Sequence, residues 1–273
     1  MSEVRRAIIP CGGKGTRMLS ISRGTAKELV LIAGEPVLAH VLRECALSGI
    51  EHVLVVVSPD KQSVIDFTKS VAGGAGMPAR IETAVQSAAR GLADAVRVGR
   101  DFAGEEPVAV ALPDNLFVDV SAPAVAQVIE TFIHDRTNVV GLTEITHEIA
   151  ATRGPTPIYP GVRSYDDFII ESIPAKGAHG STFSLGDARS AMTGVGRYVF
   201  LPSAFRVIDE VERSLAAGKE LDDIPVMQMM LARGALRGRV LHGTFLDVGL
   251  PEGFREATER LTGARGGDLS VLR

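Results

Sequence analysis

The chain is short of several features that would place it in a class at once. It has only two cysteines, Cys11 and Cys45, in 273 residues, which does not suggest a disulfide framework. Cys11 ends an apolar strand-like run and Cys45 lies on the apolar face of a helix-like one, so both read as reduced core thiols of a cytoplasmic protein. Basic residues are not in excess. The count is 29 Lys and Arg against 33 Asp and Glu, a net charge of −4, which argues against a nucleic-acid-binding surface. A local phosphate site remains open, because it needs only a few well-placed cations. No apolar run has the character of a membrane span, and the run behind the polar Met1 to Arg6 is broken at Pro10 and Gly12, so no signal peptide is expected either. The six histidines show no metal-ligand spacing. His147 and His179 fall in polar, loop-like stretches, and His40 reads as a structural residue of a helix. No pairing of a nucleophile with a base stands out, and no internal repeat is visible.

What is present is an ordinary apolar core, with 45% hydrophobic residues, distributed with two alternating periods. Ala7 to Cys11 is a short continuous apolar run, as expected for a strand buried on both faces. Pro36 can open a helix carrying Val37, Leu38, Val41, Leu42 and Cys45, which Gly49 stops. Val53 to Val57 is a second strand, Asp60 to Ser70 a helix, Ala79 to Thr83 a weaker strand, Gly91 to Arg100 a helix and Val108 to Leu112 a buried strand. This alternation implies parallel strands joined by helical crossovers, with ligands at their carboxyl ends. Beyond it, Pro123 to His134 reads as a helix and Asn138 to Thr143 as a strand. Ala151 to Ala191 is rich in Gly, Pro, Ser and Thr and reads as a small β-rich insertion that could cover a site. Helices at Ser203 to Ala217 and Asp222 to Arg233, a strand from Arg239 to Leu246, and a helix from Pro251 to about Leu261 complete the pattern. The expected fold is α/β, a Rossmann-like, mostly parallel sheet flanked by helices. It forms one unit over 1–273, with halves 1–120 and 121–263 and a tail over 264–273.

The segment Gly12-Gly13-Lys14-Gly15-Thr16-Arg17 falls directly after a buried strand. Glycines there let backbone N–H groups approach phosphate oxygens and form an anion-binding nest, to which Lys14 and Arg17 add full charges. It is not a P-loop, since Gly15 follows Lys14 where Ser or Thr is needed. Nor does it read as a dinucleotide fingerprint, since Met18 stands where the third glycine belongs and Asp60, the acidic residue after the second strand, lies at more than twice the required distance. Asp114, in Leu112-Pro113-Asp114-Asn115, and Asp247, in Phe245-Leu246-Asp247-Val248-Gly249, are carboxylates just past buried strands. Either one alone is a plausible turn residue or helix cap. Two at one sheet edge would make a site for a hard cation such as magnesium.

The longer pattern of Ala7 to Leu19, followed by Lys27-Glu28-Leu29 and Gly34-Glu35-Pro36, resembles the nucleotide-sugar pyrophosphorylase family, nearest to bacterial UTP:glucose-1-phosphate uridylyltransferases. The resemblance implies the nucleotide-diphospho-sugar transferase fold. It puts the glycine loop, Thr16 included, on the phosphates of a nucleoside triphosphate, together with Arg17 and Lys27 as catalytic residues. It further implies that Asp114 and Asp247 hold Mg2+, with Asp114 also on the nucleotide, and that Gln86 and Gly91 meet the base. Half 1–120 would then bind the nucleotide and half 121–263 the acceptor, with Asn115, Gly161 of Tyr159-Pro160-Gly161-Val162, Glu171 and Gly194 on the acceptor side. Glu220 to Asp223 resembles a further family segment. The departures fall on the acceptor side and around Lys27. Glu171-Ser172-Ile173-Pro174 lacks the lysine that the family places between the glutamate and the proline; Lys176, two residues beyond the proline, is either its substitute or a plain loop lysine. Ser20, Ala26 and Leu31 replace prolines.

The activity so implied is transfer of a nucleotidyl group, from UTP first and dTTP next, to a sugar 1-phosphate with release of pyrophosphate. Two alternatives stay open. One is the same chemistry on a modified sugar, cyclitol phosphate or phosphonate; the other is a nucleotide-binding regulator that has lost catalysis. Neither a nucleic acid nor a membrane is an expected partner, and the family implies a homodimer or homotetramer.

Overall fold

The computed structural model describes residues 3–13, 15–146, 156–164, 166–175, 182–185, 191–216 and 218–266. Its strands are β1 (Arg6–Cys11), β2 (Leu31–Ile32), β3 (Glu35–Pro36), β4 (His52–Val57), β5 (Arg80–Val85), β6 (Val108–Ala111), β7 (Asn115–Val118), β8 (Asn138–Ile145), β9 (Tyr159–Ser164), β10 (Asp167–Ser172), β11 (Ala191–Phe200), β12 (Leu236–Val240) and β13 (Thr244–Asp247). Nine of them form one sheet in the order β5-β4-β1-β6-β11-β8-β12-β10-β9. The four strands β5, β4, β1 and β6 are mutually parallel. β11 and β10 run against the other seven strands of this sheet, so it is mostly one-directional.

The continuous apolar runs have a direct cause. Successive side chains of a strand point to opposite faces, and both faces here are covered. Ala7, Ile9 and Cys11 pack on one side with Val37, Leu38, Val41, Leu42 and Cys45 of helix Val37–Leu47 and with Val125, Val128 and Phe132 of helix Ala124–Asp135. Ile8, Leu54 and Val56 pack on the other side with helices Leu92–Val98, Ser203–Ser214 and Asp223–Ala232. Pro36 precedes the first turn of helix Val37–Leu47, as read from the sequence, and Gly49, at φ +83°, follows its last turn.

Three readings change. The expected helix Gly91 to Arg100 is two, Leu92–Val98 and Arg100–Ala103, divided at Gly99. The expected strand Arg239 to Leu246 is also two. β12 stays in the main sheet, while β13 leaves it past Gly243, at φ +117°, and pairs antiparallel with β7, a strand the sequence reading missed. The segment read as an insertion contributes β9 and β10, which extend the main sheet at its edge. No helix among the described residues is long and apolar enough to cross a membrane.

A buried amide joins three of these elements. Asn138, 2% exposed at the start of β8, donates to the carbonyl of Ala235 at 2.7 Å and accepts from the N–H of Leu201 at 2.9 Å. Asn138→Leu strips both partners and is expected to cost about 2–4 kcal/mol in urea denaturation. A loss below about 1 kcal/mol would show that water reaches those groups.

Candidate active site

The glycine loop leaves the carboxyl end of β1, in the middle of the parallel strands. Two close approaches explain its glycines. A Cβ at Gly12 would collide with Gln86 Oε1, and Gly15, at φ +64°, lies where a Cβ would sit 3.3 Å from the Cβ, Cγ and Cδ of Lys27. Thr16 and Arg17 follow in a single 3-10 turn, both exposed, while Met18 is buried and anchors it. Lys14 lies outside the described residues.

Behind the loop is a cation that the sequence reading missed. Lys61 donates to the carbonyls of Cys11 at 2.6 Å and Gly13 at 2.8 Å, and to Glu28 Oε1 at 2.7 Å. Lys61 is 7% exposed and Glu28 1%. The ammonium therefore holds the loop's carbonyls on the protein side, and Glu28 balances its charge. Burial, and after it the charge of Glu28, pushes the Cys11 thiol well above its ordinary range, so this cysteine is no nucleophile.

The opposite wall is made of two carboxylates. Asp114 follows β6 and precedes β7; Asp247 ends β13 and stands across from Asn115 in the β7–β13 register. The small two-stranded sheet thus brings together residues far apart in the chain, at its own end and not at the edge of the main sheet. A Cβ at Gly249 would lie 3.0 Å from both Asp114 Oδ2 and Asp247 Oδ1, so the two oxygens are no farther apart than twice that distance. The N–H of Gly249 donates to Asp247 Oδ1 at 3.0 Å, and the N–H of Val248 to the carbonyl of Asp114 at 2.9 Å.

The charges of this wall are unequal. Lys27 Nζ donates to Asp114 Oδ2. Burial works against the Asp114 charge, but the Lys27 ammonium outweighs it and holds the carboxyl below its usual range. Asp247 is pushed up, first by burial and then by the negative charge of Asp114. The Arg17 charge favours the ionised form of both, adding to the effect of Lys27 at Asp114 and opposing burial at Asp247. Two hard carboxylates with room for one more positive charge suit a magnesium ion, which takes a few protein oxygens and fills its remaining positions with water and phosphate. The Lys27 ammonium on Asp114 already shows that this oxygen binds a cation.

A second missed residue braces Asp114 from below. Arg197, with no exposed surface, is on β11, whose register shifts between Gly194 and Tyr198. Its guanidinium donates to the carbonyls of Leu112 at 3.1 Å and Asn115 at 2.6 Å, on either side of Asp114, and to Glu44 at 2.7 and 2.8 Å.

The remaining candidates separate into two groups. Gln86, 4% exposed just past β5, lies against Gly12 and donates to the carbonyl of Gly91, which precedes helix Leu92–Val98 and packs on the Leu221 backbone, so Gln86 meets the loop directly and Gly91 only through it. Asn115 contributes its carbonyl to Arg197. Gly161 and Glu171 face each other across the β9–β10 hairpin, where a Cβ at Gly161 would be 3.5 Å from Glu171 Cβ. Gly194 lies on β11 beside Tyr198. No described hydrogen bond or ion pair ties Gly161, Glu171 or Gly194 to Lys27 or Asp114. Lys176, His147 and His179 are outside the described residues.

Lys61 and Glu28 give a direct test of this construction. Lys61→Met leaves Glu28 buried without its counter-charge and is expected to cost about 3–5 kcal/mol. The double change Lys61→Met with Glu28→Leu should recover a large part of that loss in the same denaturation assay. An equal or greater loss in the double variant would show that the pair does not act as one unit.

Comparison with known proteins agrees with this arrangement. The family model described as nucleotidyl transferase matches residues 6–263. A Bacillus subtilis (strain 168) protein, provisionally named a UTP–glucose-1-phosphate uridylyltransferase, is 30% identical over 271 residues, covering 92% of this chain and 94% of its own. A Streptococcus pyogenes protein named UTP–glucose-1-phosphate uridylyltransferase is 27% identical, over 94% of this chain and 88% of its own. Among solved structures, a UDP-glucose pyrophosphorylase in complex with UDP-glucose superposes with a TM-score of 0.81 at 22% identity, over 96% of this chain and all of its own. A UTP-bound enzyme of Acinetobacter baumannii superposes with a TM-score of 0.78 at 19% identity, over 99% of this chain and all of its own. A glycine loop, a lysine on an aspartate and a second aspartate from a distant strand thus stand on a chain that belongs to the nucleotidyl transferase family, as a sugar-1-phosphate nucleotidylyltransferase of the nucleotide-sugar pyrophosphorylase group.

Proposed function

We propose that this enzyme joins the nucleotidyl group of UTP, with dTTP the next choice, to a hexose 1-phosphate and releases pyrophosphate. The observation that carries this reading is the convergence of Asp114 and Asp247 on one point, with Lys27 on Asp114 and the glycine loop wrapped around the Lys27 stem. Gly12, Gly13, Gly15 and Thr16 would cradle the triphosphate with Arg17 above them. Asp114 and Asp247 would hold Mg2+, which would neutralise phosphate charge. The acceptor's phosphate is already an oxyanion at neutral pH, so the protein needs neither a covalent nucleophile nor a general base. Its task is to align two anions and to offset the charge that grows at the α-phosphate. Arg17 and Lys27 are the groups that do so.

The same reading assigns Asn115, Gly161, Glu171 and Gly194 to the acceptor. One observation favours a variant of it. Where the family has a lysine, this chain has Ser172 and a buried Ile173, 7% exposed, and neither offers a charge. An acceptor other than an ordinary hexose 1-phosphate, such as a modified sugar, cyclitol phosphate or phosphonate, follows from that loss. Two buried free thiols, Cys11 and Cys45, support a cytoplasmic setting, and the family resemblance supports a homodimer or homotetramer. A catalytically silent regulator fits less well, since the chain keeps Arg17, Lys27, Asp114 and Asp247.

Pyrophosphate release should be assayed over a panel of triphosphates and sugar phosphates, with product identification. UTP with a hexose 1-phosphate or a close analogue is expected to turn over. Pyrophosphate from no combination, despite nucleotide binding, would favour the regulator, and exclusive use of glucose 1-phosphate would sink the variant. Arg17→Ala, Lys27→Ala, Asp114→Asn and Asp247→Asn should each lower kcat/KM by about 10²–10³-fold. A chelator should abolish turnover and added Mg2+ restore it; undiminished activity in EDTA would remove the metal from the account.

A further inference from the structure

One buried carboxylate is not used by the chemistry described so far. Asp94, 4% exposed in the first turn of helix Leu92–Val98, has both oxygens engaged. Oδ2 accepts from Gln86 Nε2 at 2.8 Å, and Oδ1 accepts from Arg97 at 2.6 Å. Arg90 is 3.9 Å from the same Oδ1, and both arginines continue to Glu212 on helix Ser203–Ser214. Burial opposes the Arg97 charge, but the bonds and charges of Asp94 and Glu212 prevail and raise its pKa. Asp94 is therefore fixed in place by a network that reaches the second half of the chain.

The consequence falls on Gln86. Its Nε2 also donates to the carbonyl of Gly91 at 3.1 Å. A primary amide has two N–H groups, and here both are spent. The assignment of its nitrogen and oxygen follows from chemistry, because a carboxylate and a carbonyl can only accept. The amide oxygen must then point the other way, and it does so over Gly12, at the start of the phosphate loop. Among the described residues no donor reaches that oxygen.

We propose that Asp94 is a specificity-determining positioning residue, which fixes Gln86 so that it offers an incoming base an acceptor and no donor. This rests on the proposed function and on the assignment of Gln86 to the base that the family resemblance implies. Uracil and thymine carry an imide N–H at N3 and can donate to it. Cytosine has a bare ring nitrogen at that place and would set acceptor against acceptor. A site built around one such bond discriminates strongly against a ligand that cannot complete it.

Asp94→Asn tests the idea, because it changes polarity and almost nothing else. An asparagine has one oxygen, and the Arg97 guanidinium claims it. The new Nδ2 then faces Gln86 Nε2, donor against donor, while the Gly91 carbonyl still claims the other N–H, so the amide loses its single fixed orientation and can also present its NH2 group to the base. The ratio of kcat/KM for UTP to that for CTP is expected to fall at least tenfold, while Asp94→Glu, which still only accepts, stays within about threefold of the wild type. A loss shared equally by both donors would make Asp94 merely structural and overturn the proposal, as would a wild-type preference for CTP. Should Asp94→Asn fail to fold, 3-methyl-UTP with the wild-type enzyme decides. At least tenfold poorer use than UTP supports the acceptor-only amide, and equal use overturns it. If the wild type turns over no pyrimidine triphosphate, the proposed function itself fails; if it prefers UTP and Asp94→Asn keeps that preference, only this inference does.

Discussion

The ion pair between Lys27 and Asp114 is the constraint around which the rest is arranged, because it closes the site across 87 positions of chain. An ammonium and a carboxylate, both mostly withdrawn from water, are costly unless each remains paired. Each side is therefore supported by a second buried pair. Lys61 and Glu28 stand behind the loop that encloses the Lys27 stem, and Glu28 is the next residue in the chain. Arg197 and Glu44 stand below the turn that carries Asp114. The three pairs form a frame in which the carbonyls of Cys11, Gly13, Leu112 and Asn115 are satisfied from within.

The frame stands where the central strands end. β1, β4 and β6 are sealed by apolar helices on both faces, which leaves their carboxyl ends as the place where polar groups can gather. The glycine loop follows β1, Gln86 follows β5 and Asp114 follows β6. The remaining aspartate arrives by another route, through the exit of β13 from the main sheet. The β7–β13 ribbon that carries it packs Leu116, Val118 and Leu246 into the same core, and Arg197 on β11 ties its start through the carbonyl of Asn115.

The fold was legible in the sequence wherever periodicity was strong. The buried runs Ala7 to Cys11, Val53 to Val57 and Val108 to Leu112 matched strands closely, and Pro36 and Gly49 bracketed a helix. The division of the Arg239 to Leu246 run was not legible, because Gly243 breaks it with a positive φ that a single glycine in an apolar run does not announce. β7 was hidden because Asn115 to Val118 is short and follows a proline turn that reads as an ending. Among the site residues, Lys27, Asp114 and Asp247 could be named from motif and resemblance. Lys61, Glu44 and Arg197 could not, since a charged residue in a polar or mixed segment reads as solvated, and only the tertiary structure shows it to be buried and paired. Asp94 was within the helix read from Gly91 to Arg100, yet its importance lies in a hydrogen bond to Gln86 that no spacing rule encodes.

The central claim is that two bound anions react directly, with the protein supplying alignment and charge but no covalent partner. The stereochemical course at the α-phosphorus tests it most directly, using a chiral UTP carrying sulfur on that phosphate and product analysis by 31P NMR. A single in-line displacement predicts inversion of configuration. Retention would require two displacements through an enzyme-bound nucleotidyl intermediate and would contradict the account.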